Sequence, residues 1–333
     1  MAFIFFVGIF FIYQNNPLIT DYDKTPIDYN LKVQQLELKA PTISYLNPHN
    51  HELGLSLLDP NHHEYFLSTR LVIQEDSWIT RFELAIENAP LSIIHHAALY
   101  YDREENKTCL KKDGEEIAIV SGDSFDSDVQ LPPGYGYFAP RGTVIYMGGM
   151  VHNPLPPYGP GEEYKDVTIS YFIDVQKDDV NSSMKDVTLY RLFLTDTHLC
   201  GTADTHLFTV PPHANNYLKT TTNNPEIKDP ARYVFESDGT IVYSYPHLHP
   251  WEGGEKLTIY LNGKIIEEAY PQKASDNSWE WTTSHLDRTI DVEKGDELTL
   301  SAIYSNDRDE PLLGAMGHFV IYFASDEESF DLT

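Results

Sequence analysis

Apolar side chains recur at every second residue over long stretches of this chain, and that period is satisfied by a strand with one buried face and by little else. DVTISYFIDVQ (166–176), DVTLYRLFLTD (186–196) and KLTIYLNGKIIEEAY (256–270) carry it, and all are rich in Val, Ile, Thr, Tyr and Phe, the types that fit a pleated surface. In the last of them Asn262-Gly263 supplies the two positive-φ residues of a type I′ hairpin turn. Pro- and Gly-rich clusters, LPPGYGYFAP (131–140) and NPLPPYGPGEE (153–163), punctuate the strands, and capped amphipathic helical patterns are nearly absent. The expected class is all-β, built from antiparallel sandwiches. A length of 333 residues exceeds the usual single domain. The polar, Gly-containing stretch THLCGTADTHLFTVPPHANNY (197–217) predicts a boundary near residue 206, giving domains over 41–206 and 207–333.

A formal charge of −28 repels phosphate backbones and anionic headgroups alike, so nucleic acid is excluded as a partner. Local acidic runs such as SDEESFD (325–331) read as solvated surface. Hydrophobic residues make up 41% of the chain, enough for packed cores. Cys109 and Cys200 could form one bridge, closing a loop of about 92 residues and contributing ~4.5 kcal/mol on the chain-entropy model. Residues 2–13 (AFIFFVGIFFIY) are too short to cross a bilayer, which needs ~20 apolar residues. They resemble the apolar centre of an export signal, although basic and cleavage-site flanks are missing. Residues 1–40 are read as a signal or membrane tether plus linker, and the chain as exported; a hydrophobic amino-terminal strand is the alternative. Asn106-Lys107-Thr108 and Asn181-Ser182-Ser183 match the glycosylation sequon.

Histidine carries the chemistry. His247-Leu248-His249 lies in TIVYSYPHLHPWEGG; two residues apart on a strand, the imidazoles share a face ~6 to 7 Å apart and can reach one ion. Pro246 and Pro250 place the segment at a strand end or edge, where a site opens to solvent. His95-His96 lies in LSIIHHAALYY; adjacent residues face opposite ways, so joint ligation needs a bulge, or binding through different ring nitrogens. His152 lies in GTVIYMGGMVHNP. Each of these also fits a plain structural role when taken alone. His49-Asn50-His51 and His62-His63 read as loop histidines.

Taken in order, the segments resemble the copper type II, ascorbate-dependent monooxygenases, the family of peptidylglycine α-hydroxylating monooxygenase and dopamine β-monooxygenase, and especially their bacterial relatives. FELAIENAPLSIIHHAALYY (82–101) resembles the family's His-His strand, and GYFAPRGTVIYMGGMVHNP (136–154) its third-histidine segment. FTVPPHANNY (208–217) resembles the opening of the second domain, PHLHPWEGGEKLTIYLNGK (246–264) the H-x-H segment, and GAMGHFVIYF (314–323) the final, methionine-bearing strand. The resemblance implies two jelly-roll β-sandwich domains in tandem with a copper cleft between them. It implies two copper ions per chain, one on His95, His96 and His152, the other on the catalytic set His247, His249 and Met316. It also implies ascorbate or a similar one-electron reductant, O2, and a small organic substrate whose C–H bond is hydroxylated. The ligand types agree independently: imidazole suits copper in both oxidation states, and a thioether favours Cu(I) over zinc or magnesium.

Four positions depart from the family pattern: Tyr245 where peptide-hydroxylating members are basic, Met150 before His152, and His318 and Val320 after Met316. Tyr245 argues against peptidylglycine as substrate. The alternative reading is a non-catalytic, copper-binding exported β-sandwich protein that keeps the ligands without the pocket. A third is an adhesion-type sandwich with incidental histidines.

Overall fold

Asn262 and Gly263 take φ of 51° and 73° and turn strand Gly254–Leu261 into Lys264–Ala269, with Leu261 paired to Lys264, as their chemistry predicts. The computed structural model describes residues 33–46, 64–68, 70–101, 117–122, 128–151, 164–178, 183–194, 208–220, 231–249, 253–273, 279–281 and 289–327, all within the unit Lys32–Thr333. Strands dominate, and among the described residues the only helix is the 3-10 turn Leu91–Ile93. The chain is all-β.

Two sheets make the amino-terminal half. One runs through Val33–Lys39, Tyr164–Lys177, Ser77–Glu87 and Tyr135–Ala139; the other through Glu64–Leu67, Val144–Val151, Ile94–Tyr101 and Ile117–Gly122. Phe82, Tyr171 and Ile173 from the first meet Ile94, Leu99 and Met147 from the second in one core. In the carboxyl-terminal half, a sheet of Thr188–Leu194, Gly317–Ser325, Gly239–Leu248 and Ile290–Val292 accompanies one of Ala214–Thr220, Glu297–Asn306, Gly254–Leu261 and Lys264–Ala269. Leu192, Phe319 and Ile321 pack there with Leu257, Ile259, Leu300 and Tyr304.

The strand Gly317–Ser325 belongs to both cores. Phe319, Ile321 and Phe323 enter the second, while Val320, Tyr322 and Ala324 enter the first, and none is more than 5% exposed. This explains why IYFAS and its upstream residues read as a continuous apolar run where one-sided strands alternate. Thr188–Leu194 pairs along its whole length with Gly317–Ser325, although it precedes the boundary predicted near residue 206. Lys185–Asp186 still pairs with Tyr135–Ala139. Sheet membership therefore changes between Asp186 and Thr188, and the polar composition of 197–217 does not coincide with that change. Residues 2–13, Cys109, Cys200, Asn106 and Asn181 lie outside the described residues.

A sheet buried between two cores should couple them. Phe319→Ala, costing about 3–5 kcal/mol, and Val320→Ala, costing about 2 kcal/mol, are each expected to lower one common calorimetric transition. Two separate transitions, each moved by only one of the substitutions, would contradict the shared sheet.

Candidate metal centre

The H-x-H segment sits at the carboxyl end of strand Gly239–Leu248. A register shift between Ile241 and Tyr243 sets the later pairing, in which His247 lies directly opposite His318. The neighbouring strand Ile290–Val292 pairs only with Gly239 to Ile241, so Pro246 lies where the strand has a described neighbour on one side alone. That is the edge position proline requires.

The expected opening to solvent is not there. His247 is 3% exposed and His249 1%. Part of the cover comes across the sheet: the His318 ring lies flat on His247, centroids 4.1 Å apart and planes 8° apart. Phe193 meets His318 edge-on at 5.2 Å, making a row of three rings from three adjacent strands.

The two histidines of the motif converge. His247 Nε2 and His249 Nε2 are 2.9 Å apart, with ring planes at 69°. As a hydrogen bond this requires one ring to donate its Nε2–H and the other to accept. Two imidazole nitrogens at that separation, each ~2.0–2.1 Å from one ion as in zinc sites, subtend about 90° at the ion. The pair is thus spaced for shared ligation, provided the donating ring shifts its proton from Nε2 to Nδ1, so that both rings present an Nε2 lone pair and carry their proton on Nδ1.

His249 is held by its own turn. Gly254 N–H donates to His249 O (3.1 Å) and Ser305 N–H to Gly253 O (2.9 Å). Gly253 has φ of 79°, and a Cβ there would stand 2.0 Å from Ser305 O, so only glycine serves.

Met316 lies between strands Leu312–Ala315 and Gly317–Ser325. Gly317 pairs with Leu248, so Met316 and His249 are the residues that adjoin the last pair of this ladder. The Tyr304 hydroxyl donates to Met316 O at 2.7 Å, fixing this junction, and Met316 is 9% exposed. Two imidazole nitrogens and a thioether sulfur form a soft donor set suited to Cu(I). His318, though closer to His247 than any sequence argument suggested, is a poor third nitrogen donor. In parallel rings the in-plane lone pairs run side by side and do not converge. The signal for His318 was its even spacing from Val320 and Tyr322 along a period-2 strand, which puts it on the His247 face.

The other predicted set is visible in backbone only. Met150 pairs with His96, and the next residue, Val151, pairs with Ile94. His95 is therefore the extra residue of a β-bulge, the irregularity that joint use of adjacent histidines demands. Val151 precedes His152, which lies outside the described residues, as do His49, His51, His62 and His63.

No protein family matches the chain by sequence, and no curated protein does. Among solved structures, a recombinant peptide:N-glycanase F is similar at TM-score 0.37 with 9% identity, over 87% of this chain and 96% of that one. The PBCV-1 virus capsid is similar at TM-score 0.27 with 9% identity, over 92% and 98%. The tandem CBM51 modules of the family 98 glycoside hydrolase from Streptococcus pneumoniae are similar at TM-score 0.20 with 10% identity, over 78% and 81%.

If the His247–His249 pair takes up copper and the ring stack orients His247, loss of the stack should weaken that binding. An aromatic pair contributes ~0.5–1.5 kcal/mol, so His318→Ala should lower copper affinity at this pair about two- to ten-fold, while His318→Phe, which keeps a ring there, should restore it. Competition titration with a copper chelator measures both; equal loss in the two variants would show that stacking is not the cause.

Proposed function

We propose that the chain is an exported copper- and ascorbate-dependent monooxygenase that hydroxylates a C–H bond of a small organic substrate. The observation that supports this most is the buried His247–His249 pair with its Nε2 atoms 2.9 Å apart. In this reading two jelly-roll halves stand in tandem with a copper cleft between them. His95, His96 and His152 hold one copper, and His247, His249 and Met316 the other. Residues 2–13 serve as signal or membrane tether.

Bound copper supplies one-electron redox chemistry and activation of O2. The balance is RH + O2 + 2e⁻ + 2H⁺ → ROH + H2O, with two ascorbate molecules each giving one electron. The protein's part is positional. His247 and His249 present neutral nitrogens from a closed face, and burial of that face keeps water from the reacting carbon. The Met316 sulfur favours the reduced metal. Tyr245, 1% exposed, and Val320, 0% exposed, give the face beside His247 a largely apolar wall, which suits a substrate with a hydrocarbon body.

Loading with copper should give about two ions per chain, and ascorbate should drive oxygen uptake with small amines, phenols or amidated peptides as screening substrates. Met316→Ile and Met316→His should abolish hydroxylation while copper at the three-histidine site is retained. Turnover that survives either change contradicts the assignment, and two bound coppers without any oxygen uptake identify a non-catalytic copper protein.

A further inference from the structure

One more polar side chain shares the face that carries His247 and His318. Arg191 pairs with Val320, and Val320 with Tyr245, so Arg191–Val320–Tyr245 is the row next to Phe193–His318–His247. The Arg191 Nε and Nη2 atoms are buried and meet no hydrogen-bond acceptor among the described residues.

These two nitrogens are the side-on fork that grips both oxygens of a carboxylate. Arg81 shows the fork satisfied: its Nε donates to Asp128 Oδ1 and its Nη2 to Asp128 Oδ2, both at 2.8 Å. That pair is exposed, where water would have served. In Arg191, a partly exposed side chain, the same two nitrogens are closed off from solvent and meet no carboxylate among the described residues, although buried donors left unsatisfied are costly.

We propose that the Arg191 fork binds the carboxylate of the substrate, making the substrate a small organic acid with an apolar body. This rests on the monooxygenase reading only for what then happens to the acid; the binding itself requires no metal. Arg191 and His247 stand two strands apart, ~10 Å, and two residues along, ~7 Å. The arginine side chain covers part of that span, and an arylalkanoate covers the rest with its carbon chain toward the histidines. A flat monoanion fits the fork and this apolar setting better than a phosphate dianion, whose second charge would have to be desolvated in a chain of charge −28.

Calorimetric titration of the full chain, with and without copper, tests this using phenylacetate, its neutral analogue 2-phenylethanol, and inorganic phosphate. The wild type should bind phenylacetate at least about ten-fold more tightly than 2-phenylethanol, and phosphate should not displace it. Arg191→Gln should erase the difference between the two ligands, and Arg191→Lys, which keeps the charge without the fork, should lose most of it. Without ligand, Arg191→Met should melt no lower than the wild type, because it removes two buried donors that have no acceptor among the described residues. Failure of phenylacetate to bind, equal binding by Arg191→Gln, displacement by phosphate, or a clearly lower melting point for Arg191→Met would each overturn the proposal. Copper content measured on the same samples separates the two ideas: loss of copper at His247 and His249 with phenylacetate binding intact overturns the oxygenase reading and leaves the carboxylate site standing.

Discussion

Burial of one strand on both faces governs this molecule. Gly317–Ser325 sends Phe319, Ile321 and Phe323 into one core and Val320, Tyr322 and Ala324 into the other, so the sheet around it belongs to neither half alone. Interiors pack at crystalline density, and a strand held on both faces has no room to slip by one residue without exchanging the contents of two cores. The register that puts His318 against His247 is therefore fixed by the apolar residues and not by the histidines themselves.

That division of labour explains how polar side chains can sit at the end of such a sheet. His247, His249 and His318 are each at most 5% exposed, and burying three imidazoles is tolerable only when rings stack and nitrogens find partners. The ring row Phe193–His318–His247 and the contact between the His247 and His249 Nε2 atoms meet part of those needs. The same contact holds the two nitrogens at a separation suited to an ion. The turn through Gly253 and the Tyr304 hydroxyl on Met316 O anchor the two flanks of the site, so little reorganisation is asked of the backbone when a ligand arrives.

Much of this could be read from the chain because strand physics is local. The alternation in 166–176 and the Asn262-Gly263 turn dictate strands and a hairpin whatever surrounds them, and the i, i+2 spacing of His247 and His249 dictates a common face. Pleat geometry asked for a bulge at His95-His96 or for ligation through different ring nitrogens, and the ladder beside Val144–Val151 contains a register shift there. What stayed hidden depends on distant partners. Nothing near Thr188 announces that its strand pairs with residues beyond 316. Burial of the H-x-H pair was hidden for the same reason, because its cover comes from His318 across the sheet. Arg191 is unremarkable in DVTLYRLFLTD until its strand is known to pair with Gly317–Ser325.

The metal-site reading turns on whether the Met316 sulfur and the two Nε2 atoms share one ion. Copper-edge X-ray absorption of the ascorbate-reduced, copper-loaded chain addresses this directly. Expected is a sulfur scatterer at ~2.3 Å, the thiolate distance in zinc sites, together with imidazole nitrogens, the sulfur signal vanishing in Met316→Ile while the imidazole signal persists. A spectrum made of nitrogen and oxygen alone, unchanged by that substitution, would contradict it.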